Sequence, residues 1–140
     1  DPAFADRYEA FDHYDRVRRG EIALEGGLRV YSSGAGIGVR LIMQNFLGLR
    51  QETAALIVDP VIPKALDGLT AHLNLFGRRF EVTYRIQAKG CGPLSAELNG
   101  VKLDFTRDRN PYRPGAIRLA MGTVTSLLSK DSNRLVLWIE

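Results

Sequence analysis

The stretch Leu69-Thr70-Ala71-His72-Leu73-Asn74-Leu75-Phe76-Gly77-Arg78-Arg79-Phe80-Glu81-Val82-Thr83-Tyr84-Arg85-Ile86 decides the fold. Leu69, Ala71, Leu73 and Leu75 alternate with Thr70, His72 and Asn74. Past Gly77, Phe80, Val82, Tyr84 and Ile86 alternate with Arg79, Glu81, Thr83 and Arg85. A two-residue period sends successive side chains to opposite faces of a strand, so this is a half-buried hairpin turned at Gly77. A one-residue slip would move the whole apolar set into water. The pattern therefore predicts that Phe80, Val82, Tyr84 and Ile86 face an interior.

The same grammar continues towards the C-terminus. Asn99-Gly100 between Leu98 and Val101 is a hairpin signal, and Val101, Leu103 and Phe105 follow it on one face. Ile117, Leu119 and Met121 repeat the alternation, as do Leu135, Leu137 and Ile139. Thr123 to Leu128 fits a short helix between these strands, closed by the polar turn Lys130 to Asn133. Upstream, Ala55 to Val58 is a short apolar strand, and Pro60 and Pro63 hold the next connection extended. Short strands with turns about ten residues apart argue for an antiparallel β-sandwich over residues 53–140 rather than a parallel sheet.

Before Arg50 the period is helical. Ile37, Val39, Leu41, Ile42, Met43, Phe46 and Leu47 cover most of a helix circumference, so this helix is buried or needs partners. Gly48 suits its C-terminal stop. Ahead of it, Tyr31-Ser32-Ser33-Gly34-Ala35-Gly36-Ile37 reads as a small-residue loop. A serine there can cap a helix beginning near Ile37. Glycines and hydroxyls at a helix N-terminus also make a site for an anion such as phosphate. Residues 4–19 place Phe4, Tyr8, Phe11 and Tyr14 on one helical face, and Gly20 and Gly26-Gly27 break that pattern. The fold class is thus α+β, with a helical piece over residues 1–52 and the sandwich after it.

Composition narrows the function. With 140 residues, 45% of them hydrophobic and 25% charged, the chain has the make-up of a globular domain with its own core. The net charge is only +3 and the basic residues are scattered, which argues against nucleic-acid binding. A single cysteine, Cys91, allows no internal disulfide, and His13 and His72 are too few for a zinc site. Cys91 between two glycines is read as a small packed residue. No run approaches the ~20 apolar residues that span a bilayer, so no direct membrane contact is expected. The chain opens on Asp1-Pro2-Ala3 and closes on strand-like sequence at Glu140, and it reads as a piece of a longer protein.

Three elements in order, Tyr31-Ser32-Ser33-Gly34, Phe46-Leu47-Gly48-Leu49-Arg50 and Asp59-Pro60-Val61-Ile62-Pro63, resemble the C-terminal region of glycoside hydrolase family 94, the cellobiose-phosphorylase-like enzymes. Leu66-Asp67-Gly68-Leu69 and Asn110-Pro111-Tyr112-Arg113 look most like its 1,2-β-oligoglucan phosphorylase and cyclic β-1,2-glucan synthase branch. The resemblance covers most of residues 28–140. It implies that residues 1–52 end an (α/α)6 catalytic barrel and that residues 53–140 form the jelly-roll-like β domain that follows. It also implies inverting phosphorolysis: inorganic phosphate attacks the anomeric carbon, a carboxylic acid protonates the leaving oxygen, and α-glucose 1-phosphate is released. Phosphate takes the place of a hydrolase's water, so one protein carboxylate suffices.

The family's Thr-Gly phosphate loop maps onto Ser33-Gly34, with Ser32 as a weaker neighbour; serine keeps the hydroxyl and loses a methyl group. The general acid, and the Arg and His that complete the phosphate site in relatives, lie upstream of residue 1. The resemblance thus assigns this chain no catalytic residue, no metal and no cofactor, with inorganic phosphate as co-substrate. The expected partners are a β-glucan oligosaccharide, phosphate and the rest of the barrel. A cytoplasmic phosphorylase is expected rather than the tail of a membrane-bound synthase, because the serine loop is closer to the phosphorylase form. The chain alone is expected to be inactive. The competing reading is a non-catalytic carbohydrate-binding or structural β-sandwich. The loop Arg107-Asp108-Arg109-Asn110-Pro111-Tyr112-Arg113 has the charge and aromatic content of a sugar or anion contact, but is read as a solvated loop with Tyr112 packing on the sandwich. Asp59 and Asp67 are read as turn-forming or strand-terminating residues, and Trp138 as a packed or interdomain aromatic.

Overall fold

The structure, a computed structural model, describes residues 4–22 and 32–140, with backbone only for Ser32 and Ser33. The chain divides into two compact units, Asp1–Ser32 and Ser33–Glu140.

In the first unit, α1 (Arg7–Asp12) is capped by Asp6, whose carboxylate accepts the N–H groups of Tyr8 and Glu9. His13 interrupts the run, and α2 (Tyr14–Arg18) follows. The single helix expected over residues 4–19 is therefore two short ones. Neither buries a residue, and Phe11 is 82% exposed.

The second unit is the sandwich, preceded by a helical run. Nine strands follow that run: β1 (Leu49–Gln51), β2 (Ala55–Val58), β3 (Thr70–Leu75), β4 (Arg78–Ile86), β5 (Pro93–Leu98), β6 (Val101–Lys102), β7 (Thr106–Arg107), β8 (Ile117–Ala120) and β9 (Ser132–Ile139). They form two sheets, ordered β1-β2-β8-β7 and β3-β4-β9-β5-β6. The first strand starts at Leu49, a few residues ahead of the boundary drawn from the sequence.

The deciding hairpin forms in the expected register, with Ala71 opposite Val82 and Leu73 opposite Phe80. Phe80, Val82, Tyr84 and Ile86 are all buried. They share one core with Leu56, Val58, Ile117, Leu119, Leu135, Leu137 and Ile139, drawn from both sheets. Asn99 and Gly100 take positive φ of 52° and 84°, the conformation a two-residue hairpin turn requires. Val101 is exposed and β6 stops at Lys102, so the face expected through Phe105 is cut short. Met121 is not a third strand position either, because it opens helix α4 (Met121–Ser126).

One strand pair departs from the antiparallel expectation: β9 runs parallel to β4, with Val82 opposite Leu135 and Tyr84 opposite Leu137. The reason is topological. β4 and β5 run in opposite directions with a gap one strand wide between them, and β9 fills it. A strand between two opposed neighbours must be parallel to one, and β9 is antiparallel to β5.

Candidate functional site

The helical run begins earlier than its glycines suggest. α3 spans Ser32–Arg40 and continues as a π-helical stretch, Leu41–Phe46. The expected loop before Ile37 is thus already helix, and a cap for a helix starting at Ile37 is not needed. Glycine disfavours a helix by about 1 kcal/mol per residue, which is why the stretch with Gly34 and Gly36 reads as a loop. The backbone of Ser32, Ser33 and Gly34 forms the first turn. N–H groups at that position have no carbonyl partner inside their own helix. Gly34 is exposed, and a Cβ added there would meet nothing within 4 Å.

At its other end the run is clamped. Gly48 has φ +66°, and a Cβ there would lie 2.0 Å from the Pro60 nitrogen, so only glycine fits. Gly48 O accepts the Asp59 N–H at 2.7 Å, and Phe46 O accepts the Val61 N–H at 3.4 Å. The buried Tyr84 hydroxyl donates to Leu47 O at 2.8 Å, and burial pushes that phenol far above its ordinary range. The helix end is therefore tied both to the Asp59-Pro60 connection and to the centre of the core.

Asp59 carries the tie further. Its carboxylate receives Arg113 in a two-pronged ion pair, with Nη2 to Oδ2 at 2.8 Å and Nη1 to Oδ1 closing the fork. Both side chains are less than a third exposed. Planar, two-pronged pairing fixes orientation as well as distance. Arg113 thereby anchors the loop between β7 and β8. Within that loop Asn110 Oδ1 accepts the Tyr112 N–H at 2.9 Å. Arg107 donates to Gly115 O at 2.8 Å and Pro93 O at 2.5 Å. Next along, Arg118 bridges Glu52 at 2.7 Å and Asp108 at 3.3 Å, and the Arg118 hydrogen bond holds the Glu52 carboxyl below its ordinary value. With Arg113 turned to Asp59, Tyr112 points away and is 95% exposed. The expectation that Tyr112 packs on the sandwich is corrected.

Asp67 has different partners: its Oδ1 accepts the Ile86 N–H at 2.7 Å and its Oδ2 faces Lys64 at 3.0 Å. The two aspartates thus hold separate points of the connection, Asp59 directly after the end of β2 and Asp67 in a turn. Trp138 is half-buried on β9 opposite Ser95 and Arg85. Cys91 is half-buried. Among the described residues no cluster of His, Cys, Asp and Glu could hold a metal ion, and no helix is long and apolar enough to cross a membrane.

Gly48, Asp59, Pro60 and Arg113, the residues of this clamp, fall inside residues 48–137, which match the glycoside phosphorylase C-terminal domain family. The chain belongs to this family. It is also 38% identical over 130 residues to a 1,2-β-oligoglucan phosphorylase of Listeria innocua serovar 6a (strain ATCC BAA-680 / CLIP 11262). That match covers 93% of this chain and 12% of the relative, so the chain spans only a small part of the relative's length. The motifs behind the sequence resemblance now have a physical meaning. Leu47-Gly48, Asp59-Pro60 and Arg113 come from three separate motifs and meet at one seam. Ser32, Ser33 and Gly34 lie ahead of the family match, at the opposite end of the helical run. Sequence reading quoted both Asp59-Pro60 and Pro111-Tyr112-Arg113 but did not pair them; the available signal was opposite charge, each beside a proline.

Proposed function

We propose that this chain is the C-terminal part of an inverting glycoside phosphorylase that exchanges glucosyl units between β-1,2-glucooligosaccharides and inorganic phosphate, yielding α-glucose 1-phosphate. The observation that carries the proposal is the seam. Gly48 and the Asp59-Pro60 connection, inside the segment that matches the family, fix the end of the helix whose first turn holds Ser32, Ser33 and Gly34. A first helical turn in which Gly34 is exposed and uncrowded suits an inorganic phosphate. In this reading Ser33 and Gly34 donate to phosphate oxygens, Ser32 assists, and the phosphate is held for attack at the anomeric carbon. The protonating acid belongs to the barrel upstream of Asp1. The exposed Ile37, Val39, Leu41 and Ile42 are the side chains that barrel helices would cover. The parent acts in the cytoplasm, with a β-glucan oligosaccharide and phosphate as its partners.

The test uses the full-length parent and Ser33→Ala. Loss of one donor to an anion costs about 1–3 kcal/mol, so the KM for phosphate should rise about ten- to a hundredfold while the KM for oligosaccharide changes little. The isolated 140-residue chain, lacking the acid, should release no glucose 1-phosphate from β-1,2-glucooligosaccharides. An unchanged phosphate KM beside a lowered melting temperature would leave Ser33 a helix-start residue only and withdraw the phosphate assignment.

A further inference from the structure

Tyr112 is 95% exposed, yet the loop that carries it is anchored by several side-chain contacts. Arg113 grips Asp59, Asn110 caps the Tyr112 N–H, and Arg107 holds Gly115 and Pro93 from below. A Cβ at Gly115 would lie 1.8 Å from Asp108 O, so the loop also closes on itself without room for a side chain. Ordinary exposed loops are mobile and polar. Here side-chain hydrogen bonds and an ion pair hold in place a loop that presents a large ring to solvent.

The composition around the ring identifies the kind of partner. Its exposed neighbours are Arg109 and Pro111, with Asn110 partly exposed beside them. Arg109 has no ion pair among the described residues. A protein-docking patch would be contiguous and apolar. A lone ring on a loop that also carries an arginine and an asparagine suits a pyranose instead: the sugar's C–H face would lie on the ring, and its hydroxyls would take hydrogen bonds from those side chains. We propose that Tyr112 is a sugar-stacking platform for the oligoglucan chain, with Arg109 and Asn110 as hydrogen-bonding flanks and the Asp59–Arg113 pair as its positioning support. The proposal rests on the glucan-phosphorylase reading for the identity of the sugar polymer.

The test compares wild type, Tyr112→Phe and Tyr112→Ala in the full-length protein. Phe keeps the stacking face, so its KM for long β-1,2-glucooligosaccharides should stay near wild type. Ala should raise that KM about three- to tenfold, the size of an aromatic contact. The KM for phosphate and the melting temperature should not move. Migration in gels containing β-1,2-glucan reads the same contact without catalysis: Ala should lose the retardation that wild type and Phe show. An unchanged KM and unchanged retardation in Tyr112→Ala would overturn the platform. A lowered melting temperature with equal glucan binding would also overturn it, because Tyr112 would then be docked on protein. If the wild type neither phosphorolyses nor binds β-1,2-glucan, the functional reading fails. If it does both and the Ala variant is unaffected, only the platform fails.

Discussion

Ala55–Val58 and the run from Ile37 to Phe46 are both dense in apolar residues, yet the chain treats them oppositely. All four residues of β2 are buried. Ile37, Val39, Leu41 and Ile42 are each more than half exposed, and of this run only Met43 packs against the core. The difference comes from how each element satisfies its backbone. A strand needs neighbours, and β2 finds β1 and β8 on either side, so its formation and its burial are one event. A helix closes its own hydrogen bonds and can form with its apolar face unspent. The sandwich is thus complete in itself, and the helical run keeps an apolar surface to offer. The seam at Gly48, Asp59, Tyr84 and Arg113 joins the two.

The most direct way to break this contrast is a pair of truncations. Leu56→Ala removes a fully buried side chain and should cost about 2–5 kcal/mol, read from denaturant unfolding of the chain. Ile42→Ala, at 56% exposure, should stay within about 0.5 kcal/mol. Comparable losses at both sites would mean that the helical face is covered after all.

The seam comes next in size. Asp59→Asn and Arg113→Ala each leave a partly buried partner unpaired and should each cost about 1–3 kcal/mol. The double variant should cost less than the sum, with a coupling of about 1–2 kcal/mol. Additive losses would show that the fork-shaped pair does not link the connection after Gly48 to the Tyr112 loop.

What the sequence made legible follows the same division. Period-2 alternation found Phe80, Val82, Tyr84, Ile86, Leu135, Leu137 and Ile139, because strand burial is written locally in the pattern. Asn99-Gly100 announced its turn through a positive-φ requirement that few residues meet. The parallel β4–β9 pair was not legible, because pairing direction depends on how distant strands fill a sheet. Nor was the helical state of Ser32–Gly36, where weak glycine propensity is overridden by continuity with the following turns. The Asp59–Arg113 pair bridges 54 positions, a separation that no local pattern reports. Tyr112 was misjudged for the same reason: its exposure is set by the partner of its neighbour.

The smallest expected effect concerns the connection just past the seam. The Asp67 carboxyl is held below its ordinary pKa, first by the Ile86 N–H and then by Lys64. A carboxyl with a depressed folded-state pKa stabilises the fold above its unfolded value, about 3.9, and that gain disappears as pH falls through the folded value. Asp67→Asn keeps an acceptor for the Ile86 N–H but loses the charge that attracts Lys64. At pH 7 the variant should therefore be slightly less stable than wild type, by a small margin because the pair is exposed to solvent. As the pH drops below about 4 the wild type should lose that margin and the two unfolding midpoints should converge. Denaturant midpoints measured for both proteins across this range check the sign. A gap that persists unchanged below the carboxylate range would mean that Asp67 acts through shape alone, and that only the seam's Asp59–Arg113 pair holds this connection by charge.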